Sequence, residues 1–121
     1  MKTLAFIPAR SGSKGVIDKN IRNLNGIPLL AYSVHIAQLC FKQGIFSDVL
    51  VSTDSKHYLE KIKQTGYTNQ YIRPKELALD ESPTIDAIIH ALNDYAKKNI
   101  FFDNVMILQP TSPFRCIKDI K

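Results

Sequence analysis

The sequence predicts an α/β fold in which helices cover both faces of a mostly parallel sheet. Short apolar runs with the composition of strands alternate along the chain with segments whose apolar residues recur at helical spacing. The most continuous apolar run, "NVMILQ" at 104–109, is typical of a central strand covered on both faces. Strands that alternate with helices connect through right-handed crossovers, which makes neighbouring strands parallel.

The first predicted strand is "TLAFIPA" at 3–9, and the first predicted helix follows a long polar loop. Pro28 suits the first helical position, where its fixed φ is favourable and its missing N–H has no helical partner to lose. The residues after it repeat every three or four positions, which indicates a helix with one buried face: Leu30, Val34, Ala37 and Phe41.

The second predicted strand is the valine-rich run "DVLVSTD" at 48–54. A second helix is predicted over "SKHYLEKIKQTG" at 55–66. Ser55 is its candidate N-cap, and Gly66 is the residue at which we expect it to end.

The last predicted elements are a brief strand "QYI" at 70–72, a polar stretch at 73–83, a third helix and the strand at 104–109. Thr84 is a candidate cap for the third helix. Apolar residues keep the helical period closely after it: Ile85, Ile88, Ile89, Leu92 and Tyr95.

The composition fits one compact domain over residues 1–121, because 45% of the residues are hydrophobic and 22% are charged. No apolar run approaches the roughly 20 residues of a membrane span, and Pro8 and Arg10 interrupt the N-terminal apolar run. We therefore expect a cytoplasmic protein with no membrane partner. Cys40 and Cys116 are too few for a disulfide framework and too far apart for a zinc site, so we expect reduced thiols.

The basic charge of the chain restricts its partners. A formal net charge of +5 and a pI near 9.3 suit either a nucleic acid or a small anionic ligand. Aromatic residues do not alternate with the basic ones as they do on base-stacking surfaces, which favours the small ligand and no nucleic-acid partner. A basic RNA-binding domain stays open as an alternative.

Ligands of parallel sheets bind outside the carboxyl ends of the strands. Three polar, proline-marked stretches follow predicted strands in this way, at 10–20, 73–84 and 109–115. We therefore expect these three loops to form the binding site.

The first of these loops has the chemistry of a polyphosphate site. Gly12 and Gly15 allow the backbone to approach a ligand closely, and successive amides there can form an anion-binding nest. Fixed positive charge comes from Arg10, Lys14 and Lys19. Neither the P-loop spacing nor the G-x-G-x-x-G dinucleotide spacing occurs, and a solvated basic turn would have a similar composition.

The full motifs resemble those of the CMP-acylneuraminate synthetases. "IPARSGSKGVIDKN" at 7–20 resembles I-P-A-R-x-G-S-K-G-[ILV]-P-x-K-N, "RPKELALD" at 73–80 resembles R-P-x-x-L-A-x-D, and "LQPTSPFR" at 108–115 resembles L-Q-P-T-S-P-[LF]-R. The resemblance implies a Rossmann-like nucleotidyltransferase fold. It also implies transfer of CMP from CTP to a nonulosonic (sialic-type) acid with Mg²⁺ as cofactor, and a homodimer in the full-length form.

The resemblance assigns nucleotide-binding roles to the first two loops. It places Arg10, Ser13 and Lys14 on the triphosphate of CTP. Lys19 is expected to be catalytic, near the α-phosphate, where negative charge develops during attack. Asn20 is expected to hydrogen-bond the nucleotide.

The resemblance assigns the rest of the site to the second and third loops. Arg73 is expected to border the cytidine, with Ser82 and Thr84 as weaker candidates. In the third loop, Gln109 is expected to face the sugar acid, and Thr111 and Ser112 to shape its pocket.

Two departures from the family pattern limit what the resemblance implies. Ile17 stands where the family has proline, and Asp18 places a carboxylate beside Lys19. The R-x-N-G stretch and the metal-binding D-x-D carboxylates are expected beyond Lys121, so the chain resembles the N-terminal half of a synthetase. A CTP-binding module without turnover is therefore the alternative function.

Overall fold

A computed structural model describes residues 2–9, 23–24, 27–69, 71–78 and 83–108 of the chain. The strands are β1 (Thr3–Pro8), β2 (Asn23–Leu24), β3 (Ile27–Pro28), β4 (Asp48–Ser52) and β5 (Asn104–Ile107). The helices are α1 (Leu29–Lys42), α2 (Lys56–Lys61) and α3 (Thr84–Ala96). Two 3₁₀ turns lie at Lys63–Thr65 and Lys75–Leu77.

The described part of the main sheet has the strand order β4-β1-β5, and both pairings are parallel. Phe6 of β1 lies between Leu50 of β4 and Ile107 of β5. The prediction of a parallel sheet is confirmed. β2 and β3 form a separate two-stranded antiparallel ribbon just before α1.

The central strand of the described sheet is β1, and the prediction that the run at 104–109 is central is wrong for these residues. Leu4, Ala5, Phe6 and Ile7 are all 0% exposed, whereas Ile107 at the end of β5 is 42% exposed. A continuous apolar run indicates that a strand tolerates burial on both faces. It does not determine which strand lies in the middle.

Helices pack on both faces of the sheet, as predicted. Successive side chains of β1 point to opposite faces, and they belong to two separate clusters. On one face, Ala5 and Ile7 pack in a cluster with residues of α1 that include Leu30 and Val34. On the other face, Leu4 and Phe6 share a cluster with Ala87, Ile88, Ala91 and Tyr95 of α3.

The predicted start of α2 is confirmed by its capping contact, whereas the predicted end at Gly66 is wrong for the α-helix, which ends at Lys61. The Ser55 hydroxyl accepts a hydrogen bond from the Tyr58 amide at 3.2 Å, which satisfies one of the unpaired N–H groups at the helix start. The 3₁₀ turn that follows α2 ends at Gly66, whose φ of 89° lies in the left-handed region. Glycine adopts that region without the steric cost of a Cβ atom.

Two other predicted boundaries are off by one position. α3 begins at Thr84, and the residue before it, Pro83, makes no side-chain capping bond. The prediction that Thr84 caps the helix is therefore wrong, because Thr84 is already helical. α1 begins at Leu29, one residue after Pro28.

The predicted strand at 70–72 is also wrong for its described residues, because Tyr71 and Ile72 do not form a strand. The Tyr71 amide donates to the side-chain oxygen of Asn69 at 2.9 Å, so a side chain takes the bond that a neighbouring strand would need. The Tyr67 hydroxyl accepts from the Val51 amide at 2.9 Å. This part of the chain therefore covers the outer edge of β4 without extending the sheet.

None of the helices in the described ranges is long and apolar enough to cross a membrane.

Candidate active site

The carboxyl ends of the three parallel strands meet at one edge of the sheet, and backbone hydrogen bonds hold the residues just before the first and third predicted loops there. The Ala9 amide, just before the first loop, donates to the Ser52 carbonyl at 2.9 Å. The Leu108 amide, at the start of the third motif, donates to the Phe6 carbonyl at 2.9 Å. Ala9 and Leu108 are both buried. The first and third loops therefore start from fixed, neighbouring points.

The second loop is attached to the same edge through Arg73. The Arg73 amide donates to the Thr53 carbonyl at 2.7 Å, which joins the start of the "RPKELALD" segment to the end of β4. The three loops predicted to form the site thus begin at one edge of the sheet. This arrangement is the one that binds ligands in open parallel sheets.

The Arg73 side chain lies buried at this edge, with 4% of its surface exposed. Its Nε donates to the Ser52 hydroxyl at 2.8 Å, and Nη2 donates to the Ser52 carbonyl at 3.0 Å. Its Nη1 donates to the Leu77 carbonyl at 3.4 Å. A buried guanidinium group needs such acceptors, because an unsatisfied buried charge is costly. We call this set of contacts the Arg73–Ser52 clamp.

The Ser52 carbonyl connects the first two loops directly. It accepts from the Ala9 amide as well as from Nη2 of Arg73. A carbonyl oxygen has two lone pairs, so it can serve both donors. The start of the first loop and the start of the second are therefore held by the same atom.

Tyr71 attaches the chain before Arg73 to α3. Its hydroxyl lies 2.7 Å from Nδ1 of His90, and the two rings are tilted with centroids 5.7 Å apart. Burial is the main cause that raises the pKa of Tyr71 to about 12, and the charge of Asp94 adds to it, while the Arg73 charge acts in the opposite direction. The tyrosine stays protonated at neutral pH, so its hydroxyl can bond the imidazole.

A surface pocket of about 210 Å³ lies away from this edge. It contains Asp48 and Val49, at the amino end of β4, together with Phe41, near the end of α1, and Tyr67. Because ligands of parallel sheets bind at the carboxyl ends of strands, this pocket is not the candidate active site.

Within residues 2–9, 23–24, 27–69, 71–78 and 83–108, no group of three or more His, Cys, Asp or Glu side chains is placed to hold a metal ion. No step through a metal is therefore assigned to this part of the chain.

A family profile described as Cytidylyltransferase matches residues 4–121, which is nearly the whole chain. The chain belongs to the cytidylyltransferase family. This confirms the family that the three motifs predict.

Three curated relatives of this cytidylyltransferase chain are 34% to 41% identical to it in sequence. It is 41% identical over 115 residues to a CMP-N,N'-diacetyllegionaminic acid synthase of Legionella pneumophila, covering 95% of this chain and 48% of that protein. It is 41% identical over 114 residues to an N-acylneuraminate cytidylyltransferase of Escherichia coli, covering 94% and 25%. It is 34% identical over 113 residues to a pseudaminic acid cytidylyltransferase of Campylobacter jejuni, covering 93% and 47%.

The chain therefore spans about half the length, or less, of these relatives. A solved structure of a CMP:2-keto-3-deoxy-manno-octonic acid synthetase complexed with CTP is also similar. It has a TM-score of 0.74 and 19% sequence identity, and the match covers 99% of this chain and 44% of the other. This likeness supports the fold and confirms the prediction of a Rossmann-like nucleotidyltransferase fold.

The described residues contain two of the predicted site residues: Arg73, at the carboxyl edge, and the weaker candidate Thr84. The other predicted residues lie outside the described ranges, and their roles stay predictions: Arg10, Ser13, Lys14, Lys19, Asn20, Ser82, Gln109, Thr111 and Ser112. Thr84, the weaker candidate for the nucleotide, is exposed at the start of α3.

Sequence reasoning did not identify Ser52 as part of the site of the cytidylyltransferase. The available signal was weak: a hydroxyl residue that follows the apolar run Val49–Val51 at the end of β4, shortly before α2. A buried hydroxyl in that position adds nothing to apolar packing and needs a hydrogen-bond partner. It becomes informative once the partner of the hydroxyl, Arg73, is identified.

Proposed function

We propose that this chain forms the CTP-binding part of an enzyme that transfers CMP from CTP to a nonulosonic acid. In the reaction, an anomeric hydroxyl oxygen of the acid bonds to the α-phosphorus of CTP. The bond from that phosphorus to the bridging oxygen of the β-phosphate breaks, pyrophosphate leaves, and the hydroxyl proton is lost to solvent. The products are the CMP-linked acid and pyrophosphate.

The observation that carries this proposal is the common origin of three motif-bearing loops at one edge of the sheet. Ala9 and Arg73 both donate hydrogen bonds to the Ser52 carbonyl. The Leu108 amide donates to the Phe6 carbonyl of β1, the neighbouring strand. Loops that start from neighbouring points can surround a single ligand. The family profile matches residues 4–121, a range that includes all three motifs.

The first loop is proposed to hold the phosphates. Arg10, Ser13 and Lys14 would bind the triphosphate through charge and hydrogen bonds. Lys19 would stabilise the negative charge that develops at the α-phosphate, and Asn20 would hydrogen-bond the nucleotide. Phosphoryl transfer depends mostly on such positioning and electrostatic stabilisation.

The second and third loops are proposed to select the two substrates. Arg73 and Ser82 would position the cytidine end of CTP. Gln109 would face the sugar acid, and Thr111 and Ser112 would shape its pocket. Mg²⁺ would neutralise charge on the phosphates, and the carboxylates that would hold it are expected outside the described residues.

The acceptor is proposed to be an acid of the nonulosonic class. The three relatives described above are named for legionaminic, acylneuraminic and pseudaminic acids, at 34% to 41% identity. These identities are too close together to select one acid. All three acids therefore belong in the test.

CTP binding without turnover is the second candidate function. It rests on the coverage, because the chain spans 25% to 48% of the three relatives and the activity of those whole proteins does not follow for it. Both candidates place CTP at the same edge of the sheet, so they differ only in whether pyrophosphate is released.

The test is pyrophosphate release from CTP and MgCl₂ with each of the three acids in turn, combined with CTP binding by calorimetry. Release that depends on one acid supports the transferase. Binding without release supports the second candidate. If CTP neither binds nor is turned over by folded protein, both candidates are wrong. Lys98→Ala is a matched control, since Lys98 is an exposed lysine in the turn after α3.

A further inference from the structure

Ser52 is the residue that the proposed function leaves without a role, although it lies at the centre of the contacts between the loops. We propose that Ser52 is a positioning residue for the nucleotide. Its hydroxyl holds Arg73 and so fixes the second loop relative to the first. This inference rests on the proposed function, because it concerns CTP bound between these two loops.

The Ser52 hydroxyl lies in a fully buried position. Ser52 is 0% exposed, and its oxygen accepts from Nε of Arg73 at 2.8 Å. A hydroxyl in such a position costs free energy unless it is hydrogen-bonded. The neighbouring residues of β4, Leu50 and Val51, are apolar and just as deeply buried, so an apolar side chain would satisfy the packing there. The hydroxyl is therefore explained by its bond to Arg73.

Through Arg73, the contact with Ser52 positions the segment that contains the turn at Lys75–Leu77. Its guanidinium group is planar, and its donors point in fixed directions. In the clamp they reach Ser52 on one side and the Leu77 carbonyl on the other. The position of β4 thereby determines where the turn at Lys75–Leu77 lies. Lysine has a single charged nitrogen on a flexible stem and could not hold these acceptors in the same way.

The two oxygen atoms of Ser52 serve different loops. Its carbonyl holds the Ala9 amide and Nη2 of Arg73, whereas its hydroxyl holds only Nε of Arg73 among the contacts described above. Replacing Ser52 by alanine removes the hydroxyl and keeps the carbonyl. The change should therefore loosen the second loop and leave the start of the first loop in place.

This difference gives a measurement that separates positioning from general stability. Pyrophosphate is a probe for the first loop alone, because it has no nucleoside. CTP is a probe for both loops. Ser52→Ala should weaken CTP binding about tenfold, the effect of losing one hydrogen bond to a charged group. The affinity for pyrophosphate should change less than about twofold, because the Ala9 contact is retained.

The experiment is isothermal calorimetry of the 121-residue chain with CTP and with pyrophosphate. It compares the original protein with Ser52→Ala and with Arg73→Lys. The lysine variant keeps the positive charge but loses the planar guanidinium group and its several donors. Arg73→Lys should produce the same selective loss of CTP affinity. If Ser52→Ala does not fold, the lysine variant tests whether the clamp positions the nucleotide. Tyr67→Phe is the matched control, because it removes a buried hydroxyl that bonds to β4 at Val51, away from the carboxyl edge. Its affinities for both ligands should be unchanged.

Three results would overturn the inference. Unchanged CTP affinity in the folded variants would mean that the clamp does not position the nucleotide. An equal loss for CTP and pyrophosphate would mean that Ser52 supports the fold as a whole. If the original protein does not bind CTP, the proposed function itself fails, and the inference fails with it.

Discussion

The hydroxyl of Tyr95 donates a hydrogen bond to the carboxylate of Asp48 over 2.8 Å, which connects α3 to the first residue of β4. The other carboxylate oxygen accepts from the Val49 amide at 2.8 Å. The Tyr95 ring packs edge-on against Phe102, with centroids 4.9 Å apart. Burial, followed by the bond to Asp48, raises the pKa of Tyr95 well above its usual value. This contact fixes α3, the helix that also holds Tyr71 before the second loop.

Tyr95→Phe should lower the free energy of unfolding by about 1–2 kcal/mol, because it leaves a partly buried carboxylate oxygen without its donor. The ring and its contact with Phe102 are kept, so little packing is lost. Urea denaturation measures the change. Lys98→Ala, an exposed change, should stay within about 0.5 kcal/mol of the original protein. Equal stability of Tyr95→Phe would mean that the Asp48 contact contributes nothing to the fold.

Gly66→Ala should destabilise the protein by about 1–2 kcal/mol, because φ is 89° at this position and L-residues are strained there. Apart from Gly66 itself and its two chain neighbours, no heavy atom lies within 4 Å of the position that the new Cβ atom would occupy, so the cost comes from the backbone conformation. Gly66→Asn should be destabilised less, since asparagine tolerates the left-handed region better. Thermal unfolding of both variants checks this order. The reverse order would contradict the backbone explanation.

The pH dependence of stability should reflect Tyr71. Burial raises its pKa in the folded state from the ordinary value of 10.0 to about 12. The unfolded chain therefore loses this proton first as pH rises, and stability falls from about pH 10 towards pH 12. Below pH 10 the contribution is fully present.

Tyr71→Phe removes this contribution, so the stability of the variant should decline less steeply than that of the original protein between pH 10 and 12. Urea denaturation at a series of pH values gives the comparison. Parallel curves for the two proteins would contradict the raised pKa. At neutral pH the variant also loses the contact with Nδ1 of His90.

The architecture follows from the sequence to the extent that periodicity and capping determine it. Ser55 and Gly66 act locally, through the Tyr58 amide and a left-handed φ, so their roles follow from a few neighbouring residues. The alternation of strands and helices likewise predicts a parallel sheet. Local chemistry of this kind is available from the sequence before any fold is known.

The errors arise where distant contacts decide the outcome. The position of β5 at an edge of the described sheet depends on its neighbours and not on its own composition. The segment with Tyr71 has the composition of a strand, but the Tyr71 amide donates its hydrogen bond to the Asn69 side chain and not to a neighbouring strand. Ser52 gains its role from Arg73, which lies 21 positions away. Sequence periodicity carries no information about such pairs.

Lys19→Ala should lower kcat by about 100-fold or more in protein that turns over CTP, because Lys19 is proposed to stabilise charge present only in the transition state. Lys14→Ala should mainly raise KM for CTP, because it is proposed to bind the triphosphate throughout the reaction. Steady-state kinetics of pyrophosphate release distinguishes the two. An unchanged kcat in Lys19→Ala would mean that the roles within the first loop are wrongly assigned.

Calorimetric titration with CTP, ATP and UTP tests the proposal that the carboxyl edge of this sheet binds CTP. We expect measurable binding of CTP and at least tenfold weaker binding of the other two nucleotides, a difference of about 1.4 kcal/mol. Lys14→Ala should weaken the CTP signal, whereas Lys98→Ala should not. Equal affinity for all three nucleotides, or no binding of CTP by folded protein, would contradict the claim.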